Sequence, residues 1–290
     1  MTQGPLVSVI VPTYYRNEQL AGALRSATNQ TYEPVELIVV DDSGEGHAGT
    51  MVEEFDVDQY IEFEENKGPN NARTAGIEAA SGKFVQLLDD DDRLHKDKLF
   101  EQMAVFERHP EAAVVYTGGR YESGEKFLPA SHGYGDVLQS ALQFDLPGCI
   151  TSTMLINREC LMEILPLPTP PGSDDTYLKI ELAQQGSFEF VPAPLVEKGQ
   201  AAYSRAESRG AVKGTWDVLT QYAELYDRHP PEVRQRAMAA AAFREAEYLV
   251  SEKSISLSAI QLTYWAWQTA PRWNNRYLWL FFLLLFFLFL

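Results

Sequence analysis

Short apolar runs alternate with segments of helical spacing along the first 116 residues, and no other feature limits the fold so tightly. Val7–Thr13 (VSVIVPT), Val35–Val40 (VELIVV) and Phe84–Leu88 (FVQLL) are nearly continuous apolar runs, as expected of strands buried on both faces. Tyr60–Phe63 and Ala113–Tyr116 read as further strands. Between them lie Glu18–Asn29, Ala48–Phe55, Asn70–Ala80 and Lys96–Arg108, which read as helices. The first of these carries Leu20, Ala23, Leu24 and Ala27 on one face; the last stops at His109-Pro110. Strands alternating with helices of this length imply an α/β fold: a Rossmann-like, mostly parallel sheet with helices on both faces.

After Gly118 the rhythm breaks. Gly133, Gly135, Pro147, Gly148 and the run Pro166–Gly172 mark long loops. Ile150–Ile156 and Phe188–Val191 read as strands and Asp174–Gln185 as a helix. From Gly210 to about Ser251 the spacing is helical, broken at His229-Pro230-Pro231, and Arg234–Glu247 reads as a solvated helix face. The expected division is a catalytic-type α/β domain over 1–205, a helical extension over 206–270 and a hydrophobic tail over 271–290.

Charge narrows the partners. The chain has 41 Asp and Glu against 24 Lys and Arg, a formal charge of −17, which repels phosphate backbones and argues against nucleic acid as a partner. The excess is spread along the chain, and Arg outnumbers Lys by 15 to 9, a pattern that fits adaptation to high salt better than a dedicated cation surface. Cys149 and Cys160 form no CxxC or Cys/His cluster, so neither a zinc site nor a disulfide scaffold is expected, and both read as inert thiols. MTQGPLVSVIVP has no basic n-region and is not a signal peptide, which places the body in the cytoplasm. Tyr277–Leu290 (YLWLFFLLLFFLFL) is fourteen residues without a charge. As a helix it would span about 21 Å, whereas a hydrocarbon core needs about 30 Å. A membrane-dipping anchor, a span cut short and a core helix are the three readings, the last least favoured because the run is apolar on every face. Arg272 and Arg276 on its N-terminal side, with Trp273, Tyr277 and Trp279, suit attachment at the cytoplasmic face.

In doubly wound sheets ligands bind beyond the carboxyl ends of the strands. Here Pro12, Thr13, Tyr14 and Arg16 follow the first strand, and Asp41, Asp42 and Ser43 the second. Asn66, Lys67 and Gly68 follow the third, with Arg73 on the next helix; Asp89, Asp90, Asp91 and Asp92 follow the fourth. Four adjacent aspartates at a buried strand end destabilise a fold unless something neutralises them. A hard divalent ion does so, and Mg²⁺ typically takes one or two carboxylates plus substrate phosphates. The plainer alternative is a solvated acidic loop.

The four blocks VSVIVPTYYRNEQL, ELIVVDDSGEG, ENKGPNNARTAGIEAASGKFVQLLDDDD and GSDDTYL resemble the inverting family 2 glycosyltransferases of GT-A fold, over roughly Leu6 to Pro194. The resemblance implies transfer of a sugar from a nucleoside-diphosphate sugar, with UDP favoured. Pro12, Thr13 and Tyr14 would line the base and ribose pocket, with Glu18 nearby. Asp41, or Asp42 as second choice, would accept from the base. The Asn66-Lys67-Gly68 turn and Arg73 would hold the nucleotide. Asp89-x-Asp91 would be the DxD element: Asp89 would touch ribose or metal, and Asp91 would ligate Mn²⁺ or Mg²⁺. Asp90 and Asp92 stay open as alternatives, Asp90 on the nucleotide side. Asp175 would be the general base and Asp174 an acceptor-orienting residue, with a helix N-cap as the structural alternative for Asp174. The family usually has Glu where Asp174 stands. The tail points to an acceptor at the membrane, a glycan or polyprenyl-linked sugar.

Other motifs carry less. Gly44–Gly49 matches GxGxxG but follows the second strand and faces Asp41 and Asp42, so it reads as a flexible loop. Gln268 to Trp273 is one residue too long for the QxxRW of processive synthases. The stripe Phe100, Met103, Val105 and Phe106 reads as core packing, and His95, His109, His132 and His229 as surface residues. Two other function classes compete. A sugar nucleotidyltransferase would need a Gly-rich basic loop after the first strand. A non-catalytic, membrane-associated binding protein would not need Asp91 and Asp175.

Overall fold

The computed structural model describes residues 4–169, 172–199, 208–251, 257–269 and 281. The chain forms two compact units. One comprises Met1–Val137, Leu146–Thr169 and Leu178–Tyr203; the other comprises Leu138–Asp145, Pro170–Tyr177 and Ser204–Leu290.

The first unit begins as the alternation requires: β1 (Val7–Thr13), α1 (Asn17–Thr28), β2 (Val35–Asp41), α2 (Gly49–Val52), β3 (Gln59–Glu62), α3 (Pro69–Ala79) and β4 (Phe84–Leu87). The strands β3-β2-β1-β4 lie in that order and are all parallel. Chain direction across the sheet reverses between β1 and β4, so α1 and α3 cover opposite faces. The side chains agree, because strand residues alternate between faces. Val7, Val9 and Val11 share a core with Leu20, Leu24 and Ala27 of α1. On the other face a Cβ at Gly76 of α3 would run into Ile10 and Val40.

The rest of the unit breaks the parallel pattern. β5 (Arg93–Leu94), α4 (Lys98–Phe106), β6 (Val114–Tyr121) and β7 (Lys126–Phe127) come next in this unit. After α5 (Leu138–Leu142), which belongs to the second unit, come β8 (Met154–Asn157) and α6 (Arg158–Met162). Then α7 (Asp174–Gln185) leads to β9 (Phe188–Lys198). The full order is β3-β2-β1-β4-β8-β6-β9-β5, with β7 paired to β6. β8 is antiparallel to both β4 and β6, so the sheet is mixed, parallel through β4 and partly antiparallel beyond it. β9 runs past Val191, where the expected strand ends, to Lys198. A register shift between Thr117 and Gly118 of β6 skips Pro192, which is where a sheet tolerates proline, while Pro194 stands opposite Gly118.

One expected core residue is outside: Phe100 of α4 is 56% exposed, while Met103, Val105 and Phe106 are buried. The inward face of α4 instead carries Lys98 and Gln102, both fully buried. Lys98 Nζ donates to the side-chain carbonyls of Gln86 and Gln102. Gln86 Nε2 donates to Ser152 O at 2.9 Å, and Gln102 Nε2 to Thr153 O at 2.9 Å. This buried amide network fixes the turn at Thr151–Thr153 under the end of β4.

In the second unit, α8 (Arg209–Gln221), α9 (Ala223–Tyr226), α10 (Pro231–Ser251) and α11 (Leu257–Thr269) pack with α5. The helical stretch expected as a solvated face is the centre of this unit. α10 buries Ala237, Ala239, Ala241, Ala242, Phe243 and Ala246, with α8 and α11 both packed against it. Small alanines on several faces let two neighbours approach, while Arg236 and Arg244 reach outward to Gln143 and Thr215. Tyr226 is buried, with its hydroxyl donating to Leu142 O at 2.6 Å. No described helix is long and apolar enough to cross a membrane. The apolar tail, with Arg272, Trp273, Arg276 and Tyr277, lies outside the described residues apart from Phe281, whose ring meets that of Tyr264 at 5.2 Å.

Candidate active site

The carboxyl ends of β1, β2 and β4 open on one edge of the first unit, at the point where strand order reverses. Parallel pairing in register brings Thr13 beside Asp41, and Ile10 beside Leu87, two residues before the acidic run. The polar residues that follow β3 reach the same crevice, since Asn66, Lys67 and Gly68 donate to Asp42 and Arg73 donates to Asp89.

Three of the four aspartates group together. Oxygens of Asp89, Asp91 and Asp92 lie within 4.8 Å of one another. Asp90 points elsewhere: its oxygens accept from Thr13 Oγ1 at 3.0 Å and from Arg16 at 3.1 Å. Among the described residues, three cations converge on the run. Arg73 of α3 donates to Asp89 Oδ1 at 2.6 Å and is itself held by Asn70 Oδ1 at 2.7 Å. Arg16 also lies 3.5 Å from Asp91 Oδ2. Lys198, the last residue of β9, stands 3.0 Å from Asp92 Oδ2 and 3.5 Å from Asp89 Oδ2. Ser152 accepts from the Asp89 amide at 3.2 Å, so the buried amide network supports the cluster from below.

Burial and charge then sort the carboxyls. Burial alone would push Asp89 up, but Arg73 and Lys198 hold it below the ordinary carboxylate range. Burial pushes Asp90 up to about 6, against the pull of Arg16 and Thr13. Asp92 is fully buried and lies above the ordinary range for the same reason, with Asp89 adding to the effect. Burial opposes the charge on Lys198, yet Asp89 and Asp92 keep it firmly protonated. As a donor set, three carboxylates without sulfur or imidazole fit a hard divalent cation.

The second strand end is built differently. Asp41 is fully buried, and its oxygens accept from the amides of Ser43 (2.9 Å) and Ala48 (2.7 Å) and from Tyr60 (2.8 Å). Asp42 accepts from the amides of Lys67 (2.6 Å) and Gly68 (2.8 Å) and from Asn66 Nδ2 (3.0 Å). Gly68 has φ +87°, a left-handed conformation that favours glycine, and it turns the chain into Pro69 at the start of α3. The two carboxylates thus organise loops: Asp41 closes Gly44–Gly49, and Asp42 seats Asn66–Gly68. The segment read as a flexible loop is a tied one, since the Ser43 hydroxyl also accepts from the amides of Glu45 and His47.

Beyond β1, Pro12 and Thr13 are buried, whereas Tyr14 is 50% exposed. Its neighbour Tyr15 has φ +53° and is held by a hydrogen bond to Ser43 O and by ring contacts with Tyr14 and His47. Glu18 is exposed in the first turn of α1, and none of the hydrogen bonds described above reaches it. Asp174 and Asp175 form the start of α7, both half-buried. That first turn belongs to the second unit, where Ser173 Oγ donates to Ala211 O at 3.3 Å. Asp174 is already inside the helix, with Ser173 preceding it.

Lys198, Gly199 and Ser152 are absent from the sequence reading, and Arg16 carried no assigned role there. A lone lysine at the end of a strand has no signature. Only the 106-residue closure between Asp92 and Lys198 reveals it.

Comparison with known proteins agrees with this geometry. The family profile described as "Glycosyl transferase family 2" matches residues 8–165. Glycosyltransferase TuaG of Bacillus subtilis, assigned to teichuronic acid biosynthesis, is 32% identical over 235 residues, 77% of this chain and 90% of TuaG. The Escherichia coli enzyme WfgD, a UDP-Glc:α-D-GlcNAc-diphosphoundecaprenol β-1,3-glucosyltransferase, is 27% identical over 76% of this chain and 87% of its own. Among solved structures, S. aureus TarS 1–349 in complex with UDP-GlcNAc superposes with TM-score 0.64, at 16% identity, over 93% of this chain and 82% of that one. That likeness is one of fold.

Proposed function

The chain belongs to glycosyl transferase family 2 and is a glycosyltransferase of GT-A fold, and from that premise we propose that it moves a sugar from a UDP-sugar to an acceptor hydroxyl with inversion at the anomeric carbon. The observation that carries the donor half is the group of Asp89, Asp91 and Asp92 at the strand-order reversal, flanked by Arg73, Arg16 and Lys198. Mn²⁺ or Mg²⁺ would be held by Asp91 and Asp89, the latter giving up its 3.5 Å contact with Lys198, whereas Asp92 keeps Lys198 at 3.0 Å and the Gly199 amide at 3.1 Å. When bound, such an ion neutralises the diphosphate that leaves.

The chain's own residues would do the rest. Pro12, Thr13 and Tyr14 would line the base and ribose pocket, with Glu18 nearby. Asp41 and Asp42 would shape that pocket through the loops that they hold, while the exposed Asn66 and the backbone of Lys67 and Gly68 meet the nucleotide. Arg73 would add positive charge beside Asp89 as the leaving group departs. Asp90 would act by fixing Arg16. Asp175 would take the proton from the acceptor hydroxyl, and Asp174 would orient that acceptor; a helix N-terminus favours negative charge.

The acceptor we propose is a glycan on a polyprenyl carrier at the cytoplasmic face of the membrane. The support is the uncharged run at 277–290 and the lipid-linked acceptor in the name of WfgD. The working division remains 1–205 for transfer, 206–270 as a helical extension and 271–290 as the membrane-associating tail. The deciding experiment is calorimetric titration of UDP, GDP and dTDP, with and without Mn²⁺, at low and high salt. Metal-dependent binding of UDP above the others is the expected result. Folded protein that binds no nucleotide under any of these conditions would sink the reading and favour a protein without donor chemistry. A chain lacking residues 271–290 should keep nucleotide binding and lose co-sedimentation with lipid vesicles.

A further inference from the structure

Lys198 differs from the other two cations at the acidic run. Arg16 is 39% exposed at its side chain and shares its charge between Asp90, at 3.1 Å, and Asp91, at 3.5 Å. Arg73 is tied to Asn70 on its own helix and donates to Asp89 Oδ1. Lys198 bridges two of the three grouped carboxylates, at 3.0 Å and 3.5 Å, with a compact point charge. Its backbone has little freedom. Lys198 pairs with Tyr121 of β6, and the amide of Gly199 donates to Asp92 Oδ1 at 3.1 Å. A Cβ at Gly199 would run into the carbonyl oxygen of Asp91, so strand β9 ends hard against the acidic loop.

Resting on the donor-site reading above, we propose that Lys198 is a positioning residue that stands where a divalent cation would otherwise neutralise Asp89 and Asp92. It keeps the carboxylates together in the metal-free chain and sets how tightly they take a bare ion. Among the described residues, the four aspartates of the run face Arg16, Arg73 and Lys198, a formal net of −1. A divalent ion raises that to +1, a charge suited to an incoming diphosphate. Without Lys198 the cluster stands at −2, more attractive to the ion and more self-repelling without it.

The test uses the full chain and Mn²⁺ alone, with no nucleotide and no turnover. Lys198→Gln should bind Mn²⁺ at least tenfold more tightly than the parent by calorimetry. Its metal-free Tm should drop by several degrees and recover at saturating Mn²⁺. Lys198→Arg, which keeps the charge, should stay within a few-fold of the parent. A parent that binds Mn²⁺ and a folded K198Q that binds it no more tightly would overturn the role of Lys198 and leave the metal site standing. If neither binds Mn²⁺, both readings fall together. Should K198Q not fold, the parent alone decides. Acylation of the Lys198 amine, read by mass spectrometry, should speed up when Mn²⁺ draws Asp89 away, and protection by Mn²⁺ would refute the proposal.

Discussion

Single side chains at the strand ends make separable predictions. Asp91→Ala should abolish metal-dependent UDP binding, whereas Asp175→Asn should leave that binding intact and lower kcat by about 10²–10⁴-fold, the range of a lost general base. Equal loss of binding in both variants would refute the division of labour. Asp90 predicts a pH effect with a definite sign. Its folded pKa of about 6 lies above the ordinary carboxylate value, so between those values the folded chain holds a proton that the unfolded chain has lost. In metal-free protein this group therefore removes stability as pH rises from 4 to 6, by about 3 kcal/mol. Asp90→Asn should flatten that part of the Tm-versus-pH curve, and an unchanged slope would contradict the burial argument. The types of these residues were legible in the sequence because a run of aspartates after a buried strand is chemically expensive. Their partners were not, since Arg16, Lys198 and Ser152 come from three separate parts of the chain.

Elements follow the periodicity closely wherever one core decides them. α1, α3 and β1 to β4 lie within a residue or two of their expected bounds, because, β3 apart, the same apolar spacing that suggests each element also buries it. The failures have physical causes. β9 extends beyond Val191 because a register shift after Thr117 of β6 skips Pro192 and its missing N–H. α10 is central because its alanines, unremarkable in a hydropathy reading, allow close approach by two helices. Gly76 marks a third such contact. Glycine to alanine in a helix interior gains about 1 kcal/mol of propensity, but here the new methyl would collide with Ile10 beneath α3. Overpacking of this kind costs about 1–3 kcal/mol. Gly76→Ala should therefore lower Tm; a rise would mean that α3 can lift off β1 freely.

For the whole molecule, charge is the property that sequence and structure share. With a formal charge of −17, folding works against self-repulsion that salt screens; the Debye length falls from about 10 Å at 0.1 M to about 3 Å at 1 M. Tm should rise between 0.1 M and 2 M KCl by more than the general salting-out effect seen for a neutral control protein. A flat response would show that the acidic excess is already balanced locally, as it is around Asp89 to Asp92.

The sequence by itself determined the alternating α/β architecture, the family and the chemical character of each strand end, since these depend on local periodicity and on residue type. Tertiary structure alone decided which aspartates stand together, that β8 enters antiparallel between β4 and β6, and that Lys198 faces Asp92. Those outcomes depend on chain closure over tens of residues, where one side chain's environment is set by segments that carry no mark of it.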